Sequence, residues 1–495
     1  MLPVNCGSHA DYQNFVVTNL RKYYPNPNAL ARSTWDIIER FWNLDLSFTD
    51  TFMADKYSKF NLSSRTPSCM QHSYLLSIDF KVTSLTEWAA QLKMNPLYAI
   101  LSGFEPDNTP GVGTFYDFFN RLWISDDDHM SPHSHPLKTK VKKPKTKGTK
   151  ADSVEKVTVA DLLPTLEKTD FKLDEQPYSS LFKIYQKEFL EISVSTGLIR
   201  ADALALAGDG TPVVTSHRER KKRICKCKDN GITDCKCDRY FSQPDCDIGW
   251  DSSRDCYYHG YDLYMLVDSQ SDLPVFPHFC CASKHDSHGF LHAFFRMRSF
   301  LPDYTVSKVL LDSAHDAMPY YQYFKRENIT PFIDLNGKGG RPPVYKNDFT
   351  IDKDGVPICP SGYRMRRDGI EVAKGRMKFK CPKISHADGC ISCTCKKPCS
   401  NAKYGRTVHL VLKDNPRLFN NPPRSSKEWK LEYNARTSAE RSNKREKLDF
   451  KLEDGRHRST KMWYCRLYHI LMLQHLDALD LPSESTLKKM ILDVA

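Results

Sequence analysis

Three features of this chain predict an α/β fold built on a mixed sheet flanked by helices. Between about residues 156 and 336, short apolar runs alternate with segments of helical periodicity. Two of those runs, 261–267 and 273–278, flank Asp268-Ser269-Gln270-Ser271-Asp272 and read as an antiparallel hairpin. A hairpin followed by alternating helix and strand gives a sheet with an antiparallel and a parallel half. The segments on either side, residues 1–125 and 426–495, carry helical patterns.

A chain of 495 residues exceeds what one hydrophobic core usually serves, so more than one domain is expected. Hydrophobic residues at 40% and charged residues at 27% fit a folded enzyme rather than a disordered chain. The formal net charge of +12 is concentrated in clusters. Such clusters suit a polyanionic partner through counterion release, and equally suit a solvated basic surface. Met1-Leu2-Pro3-Val4-Asn5-Cys6 has no basic region leading into an apolar core, so no secretory signal is read there. No run of eighteen apolar residues occurs, and the oily C-terminal stretch is broken by Arg466, His469 and His475. The expectation is a cytoplasmic protein with no membrane partner. Seventeen cysteines without an export signal argue for thiol or metal chemistry rather than a disulfide scaffold.

Each element follows from local signals. Residues 1–125 read as a helical domain punctuated by Pro25-Asn26-Pro27, Pro106 and Pro110-Gly111. Ser84-Leu85-Thr86-Glu87 is a capping-box pattern, and Asn95-Pro96 supplies an N-cap and N1 proline for a helix over 97–103. Thr114-Phe115-Tyr116-Asp117 opens a third helix reaching about Trp123. Short helices with tight turns fit a helix-turn-helix DNA-binding unit and an ordinary bundle equally well. Residues 126–155 carry Asp126-Asp127-Asp128 and then Lys138, Lys140, Lys142, Lys143, Lys145, Lys147 and Lys150. That is the composition of a flexible linker, able also to grip DNA backbone.

Within residues 156–336, Ala203-Leu204-Ala205-Leu206-Ala207 runs into Gly208-Asp209-Gly210 and predicts a strand ending in a turn. A helix over 287–300, an apolar strand over 306–311 ending at Asp312, a helix over 318–328 and a strand over 330–335 follow. Residues 337–425 form an insertion. A charged helix is predicted from about Lys427 to Phe450, in a segment spanning 426–455. The last segment, 456–495, is helical and includes Trp463, Leu467, Ile470, Leu471 and Leu473.

Two-metal phosphoryl chemistry needs carboxylates converging from separate elements, because hard divalent cations take oxygen ligands. Asp209 and Asp312 are each read as ending an apolar strand, a rigid place to hold a ligand, although either alone also suits a turn or a helix cap. Tyr433, Arg436, Glu440 and Lys447 lie at offsets 0, 3, 7 and 14 on the charged helix. At about 100° per residue they fall within roughly 60° of one another, on one face. A solvated face laced with pairs such as Arg436–Glu440 and Glu440–Lys444 is the competing explanation.

Tyr433-x2-Arg436-x3-Glu440-x6-Lys447 resembles in full the Tyr-Arg-Glu-Lys signature of one large group of DDE-type bacterial insertion-sequence transposases. Gly208-Asp209-Gly210-Thr211 and Leu310-Leu311-Asp312-Ser313-Ala314-His315-Asp316 are similar to the first and second acidic motifs of that group. The order Asp, Asp, Glu agrees, with 102 residues between the first pair and 127 between the second. The segment from Gly337 to about Pro423 sits where the family carries an inserted domain. The resemblance covers about residues 160–455.

What the resemblance implies is an RNase H-like catalytic core that binds insertion-sequence ends and carries out metal-dependent DNA cleavage and strand transfer, as in cut-and-paste transposition. Asp209, Asp312 and Glu440 would bind two Mg²⁺ ions, with Mn²⁺ as a substitute. Arg436 and Lys447 would contact DNA phosphate, and Tyr433 would position the terminal strand. The partners implied are double-stranded DNA, as terminal inverted repeats and target, and a second copy of the chain on that DNA. Asp316 competes with Asp312 for the middle acidic place, or caps the helix that follows it. Two rival readings are an RNase H-like nuclease that only hydrolyses DNA, and an inactive, transposase-derived, zinc-containing DNA-binding protein.

The cysteines form two clusters. Cys225-x-Cys227 and Cys235-x-Cys237 flank Asp229-Asn230-Gly231, in an insertion over about 216–256. Cys390-x2-Cys393-x-Cys395-x3-Cys399 follows Cys381 in the later insertion. Four thiolates close in sequence suit tetrahedral structural Zn²⁺, against free thiols in loops. In the first cluster, a hairpin with a two-residue Asn-Gly turn would put the pairs on opposite faces, whereas an odd-length loop would bring them together. Arg218, Arg220, Lys221, Lys222 and Arg223 precede it and suggest contact with DNA.

Overall fold

The computed structural model describes the chain except residues 1–7, 27, 29, 58–64, 132–156, 216–221, 224, 238, 241, 242, 338–348, 386–391, 397, 403, 456, 480–486 and 488–495. The linker lysines, Arg218, Arg220, Lys221 and Cys390 therefore lie outside the described residues.

The N-terminal part is helical, as its pattern requires: α1 (His9–Tyr23), α2 (Arg32–Trp42), α3 (Ser47–Met53), α4 (Pro67–Asp79), α5 (Leu85–Met94), α6 (Pro96–Leu101) and α7 (Val112–Leu122). The caps act where expected: the Ser84 hydroxyl accepts from the Glu87 amide at 3.4 Å, and Asn95 Oδ1 accepts from the Leu97 amide at 3.0 Å. Helix α7 opens two residues earlier than Thr114, because extended Gly111 already serves as its N-cap. Next come α8 (Val159–Lys168), α9 (Ser179–Tyr185) and α10 (Glu191–Ser195), the last two joined by a wide turn over Gln186–Leu190.

The sheet contains β1 (Leu204–Val214), β2 (Asp247–Asp251), β3 (Cys256–Asp268), β4 (Pro274–Cys281), β5 (Val306–Leu311) and β6 (Thr330–Ile333). Its order is β4-β3-β1-β5-β6, and β2 joins the outer edge of β3 beyond β4. Strands β1, β3 and β4 are antiparallel, while β1, β5 and β6 are parallel. Thus the mixed sheet follows from the hairpin and from the crossovers through α11 (Asp286–Phe300) and α12 (Met318–Arg326).

The expected turn at Gly208-Asp209-Gly210 does not exist. Strand β1 runs on for eleven residues, and Asp209 pairs with Met265 in the middle of the ladder with β3. The glycines serve close approach instead: a Cβ on Gly208 would stand 2.7 Å from the Tyr264 hydroxyl, and one on Gly210 would stand 2.9 Å from Asp286 Oδ1.

The insertion forms a three-stranded antiparallel sheet, β7 (Arg366–Glu371), β8 (Arg376–Lys380) and β9 (Thr407–Val411), over a small core that includes Met377, Phe379, Val408 and Leu410. The charged segment is not one straight helix. It divides into α13 (Lys427–Asn434) and α14 (Thr437–Lys444), with tightened i→i+3 bonds at 432–436, and ends in a wide turn over Arg445–Asp449. The final helix, α15 (Thr460–Ala478), is buried on all sides. It packs against α4, α7, α9 and β4, so one apolar cluster runs from Val16 through the sheet to α15. Its polar residues face inward: Arg466 donates to the carbonyls of Phe450 and Lys451, and His475 is bonded to Ser193 and Pro274. No described helix is long and apolar enough to cross a membrane.

Candidate active site and cysteine centres

Side chains alternate across a strand, so Asp209 projects from the face opposite to that on which Gly208 and Gly210 meet Tyr264 and Asp286. On its own face stands α14, whose Asn443 amide donates to Asp209 Oδ2 at 3.2 Å. Parallel pairing sets the second aspartate. Ala207 is level with Leu310, and Asp209 and Asp312 each stand two residues beyond that pair on neighbouring strands. The third carboxylate arrives on α14, where Arg436 lies between the two ends of the group: its Nη1 is 3.9 Å from Asp209 Oδ1 and its Nη2 is 2.5 Å from Glu440 Oε1. Helix α14 is held against the hairpin by a paired contact of Arg441 with Asp272, both distances 2.6 Å.

The three carboxylates differ in environment. Burial pushes the Asp209 carboxyl up to about 7, with Arg436 opposing and Asp286, Asp312 and Glu440 adding to the rise. Asp312 goes the other way: burial would raise it, but the hydrogen bond and charge of His315, the Ala314 amide and Arg436 outweigh that and hold it low. His315 is in turn bonded to the Tyr264 hydroxyl at 2.9 Å, so Asp312, His315 and Tyr264 form a chain running back into the core. Glu440 is half exposed and Asp312 partly so, which leaves this edge of the group open to solvent.

Asp316 has a different occupation. It is fully buried, takes Arg417 at 2.6 to 2.9 Å, and also accepts from the Asn336 amide and the Tyr321 hydroxyl. It does not cap α12, whose N-cap is Ala317. Its oxygens are spent on fastening the insertion to the sheet, whereas Asp312 gives one oxygen to His315 and the Ala314 amide and bears on Asp209 through its charge.

The remaining signature residues sit close by. Tyr433 stacks on Trp429 at 4.8 Å, and the Arg436 guanidinium stands 5.9 Å from its ring centre. Lys447 donates to the Pro212 carbonyl at 2.7 Å and lies 3.2 Å from Glu453, so it anchors the wide turn to the end of β1. Sequence reasoning missed Asp262, Asp286, His315, Tyr264 and Asn443. Asp262 and Asp286 meet beneath Gly210; burial and then Asp286 raise the Asp262 carboxyl, burial raises that of Asp286 with His315 opposing and Asp312 adding, and Asp262 Oδ2 is buried without a hydrogen-bond partner among the described residues. His315, three residues after Asp312, and Asn443, three after Glu440, lay close enough in sequence to have been suspected.

The described cysteines are free of disulfides. Cys225, Cys227, Cys235 and Cys237 bring their Sγ atoms to within 4.8 Å of one another, a group able to hold a metal ion such as zinc. Cys225 Sγ is 3.4 Å from Cys235 Sγ, and Cys227 Sγ is 3.5 Å from Cys237 Sγ. The loop is not the two-residue hairpin considered above. A short ladder of 222–223 with 239–240 closes its base, and helical turns place the Asn230 amide on Lys226 and the Ile232 amide on Cys227. That coil carries both pairs to one side. Of the later cluster, Cys393, Cys395 and Cys399 are described, and buried Cys359 and Cys381 lie in the same domain.

No family model matches the chain, and no curated protein matches it.

Proposed function

We propose that the chain is a DNA transposase of the DDE type, with an RNase H-like core formed by the mixed sheet and α14. The observation that carries this reading is the meeting of Asp209, Asp312 and Glu440 from β1, from the end of β5 and from α14, with Arg436 between the first and the last. A buried aspartate whose proton affinity is raised by burial and by Asp286, Asp312 and Glu440 fits a site for divalent cations, and Asp209, Asp312 and Glu440 would hold Mg²⁺ or Mn²⁺. When bound, such ions supply charge neutralisation and an activated oxygen for in-line phosphoryl transfer.

The protein's own residues do the positioning. His315 and the Ala314 amide fix one Asp312 oxygen. Asn443 fixes one Asp209 oxygen. Arg436 would pair with a backbone phosphate beside cations held by these carboxylates, and Tyr433 and Lys447 are the further residues proposed to meet DNA. The net charge of +12 supports a DNA partner. In the cysteine quartet Zn²⁺ is the expected ion, since tetrahedral Zn–S bonds of about 2.3 Å put sulfurs somewhat under 4 Å apart.

The test is incubation of purified protein with DNA carrying the sequences that flank its gene, plus Mg²⁺ and a target plasmid. Joined products that vanish in Asp209→Asn, Asp312→Asn and Glu440→Gln support transposition. Cleavage without joining supports the hydrolytic nuclease, and neither product with tight DNA binding supports the inactive relic.

A further inference from the structure

We infer that the inserted domain holds a second thiolate metal centre, with Cys359, Cys381, Cys393 and Cys395 as its ligands. This inference is independent of the transposase reading. It replaces Cys390 and Cys399 of the sequence-based cluster with two buried cysteines from further upstream.

Three separate segments deliver these thiols. Cys359 opens the turn Cys359-Pro360-Ser361-Gly362, in which its carbonyl accepts from the Gly362 amide at 2.8 Å and its amide donates to Tyr363 O at 3.0 Å. Gly362, at φ 81°, takes the left-handed position that such a turn demands. Cys381 directly follows β8, and its amide donates to Arg406 O at 2.9 Å. Gly405 is packed so tightly here that a Cβ would stand 3.0 Å from Cys381 Cβ. The chain then folds back: Ile384 pairs with Cys393, and the Thr394 amide donates to Lys383 O at 2.9 Å. That return carries Cys393 and Cys395 to Cys381.

The thiols bear on one another. Burial raises the Cys381 and Cys395 thiols; a backbone hydrogen bond at Lys383 opposes the rise of Cys381, and neighbouring thiols add to both. Lys383 Nζ stands 4.8 Å over the centre of the Tyr363 ring, and Tyr363 O accepts from the Cys359 amide, so the Cys359 turn lies against the segment that follows Cys381, while Cys399 packs against the domain's apolar cluster. A buried free thiol usually acts as a small apolar side chain. Four thiols gathered from three segments exceed what filling so small a core requires. The domain's apolar cluster is a minor one beside the main core, and a metal is the usual staple where core area is short. No three of these Sγ atoms close to within 4.8 Å, so binding draws the Cys359 turn and the paired residues 384–385 and 392–393 toward β8.

Full-length protein purified with Zn²⁺ present would be assayed for bound zinc by mass spectrometry, and by titration with Co²⁺ for the thiolate charge-transfer band. The inference expects one ion to remain in a Cys225→Ser/Cys235→Ser double variant. It expects that ion to be lost when Cys395→Ser or Cys381→Ser is added, and kept when Cys399→Ser is added. Cys395 is partly exposed, so its variant should fold even where that of Cys381 does not. Hydrogen exchange should slow in 357–365 and 381–396 on adding Zn²⁺ to that double variant. Absence of zinc from the Cys225→Ser/Cys235→Ser protein, or its loss with Cys399→Ser but not with Cys395→Ser, would overturn the inference.

Discussion

His315 Nδ1 stands 2.6 Å from Asp312 Oδ1, while its Nε2 meets the Tyr264 hydroxyl at 2.9 Å. Asp312 is thereby oriented by a ring that is itself held from the core. Outer partners of a metal-binding carboxylate commonly contribute 10- to 100-fold in affinity or activity. His315→Ala is expected to weaken Mn²⁺ binding by about that factor, with DNA cleavage reduced in parallel. Calorimetric titration with Mn²⁺ checks it, and unchanged affinity would reduce His315 to a packing residue.

Gly208 guards the same chain. A methyl group there would collide with the Tyr264 hydroxyl at 2.7 Å and with Leu311 Cδ2 at 3.0 Å. Gly208→Ala should destabilise the protein by about 1–3 kcal/mol, as overpacking does. It should also weaken metal binding by displacing Tyr264 from His315. Denaturant unfolding measures the first effect, and wild-type stability would mean that the strand shifts freely.

In the proposed site, Asp209 would set the pH dependence of metal binding. Its carboxyl titrates near 7 rather than 3.8, because burial and its acidic neighbours favour the proton. A cation must displace that proton, so apparent affinity should rise about tenfold per pH unit below 7 and level off above it. Titrations in buffers of different ionisation heat should show one proton released at low pH. Asp209→Asn should remove that release, and a pH-independent affinity in the wild type would contradict the assignment.

Glu446 is fully buried, with Ser442 and Gln474 as hydrogen-bonding neighbours, and burial pushes its carboxyl from 4.5 up to about 8. Between those values the folded chain keeps a proton that the unfolded chain has lost. Stability therefore falls as pH rises through this window, by up to about 1.4 kcal/mol per unit. Glu188, bonded to Thr49 and Gln71, is shifted the same way. Glu446→Gln should flatten the fall in unfolding free energy between about pH 4.5 and 8. A slope equal to wild type would show the carboxylate to be ionised in the folded state.

The choice between Asp312 and Asp316 can be read from stability. Removing one partner of a buried ion pair costs about 3–5 kcal/mol. Asp316→Ala should incur that loss by leaving Arg417 unpaired, whereas Asp312→Asn should change stability by less than about 1 kcal/mol. The reverse pattern would exchange their roles.

Much of the framework was legible in local signals. Strand 306–311 was expected to stop at Asp312 and does so; the hairpin, α11 and the N-terminal caps also follow their patterns. Short-range periodicity and capping chemistry are enough for such features. Gly208-Asp209-Gly210 misled because glycines beside an aspartate usually mark a turn. Here they admit Tyr264 and Asp286, which lie 50 or more residues away.

By itself, then, the sequence determined that Arg436 and Glu440 share a helical turn and that Asp312 ends a strand, since both depend on neighbours within one element. Tertiary structure decided the rest. Parallel register brought Asp209 level with Asp312, and a buried contact with Arg417 withdrew Asp316 from the group. Folding back of the insertion paired Ile384 with Cys393 and set the Thr394 amide on Lys383, two residues after Cys381. These outcomes hang on which strands pair and which charges lose water, and no local periodicity encodes either.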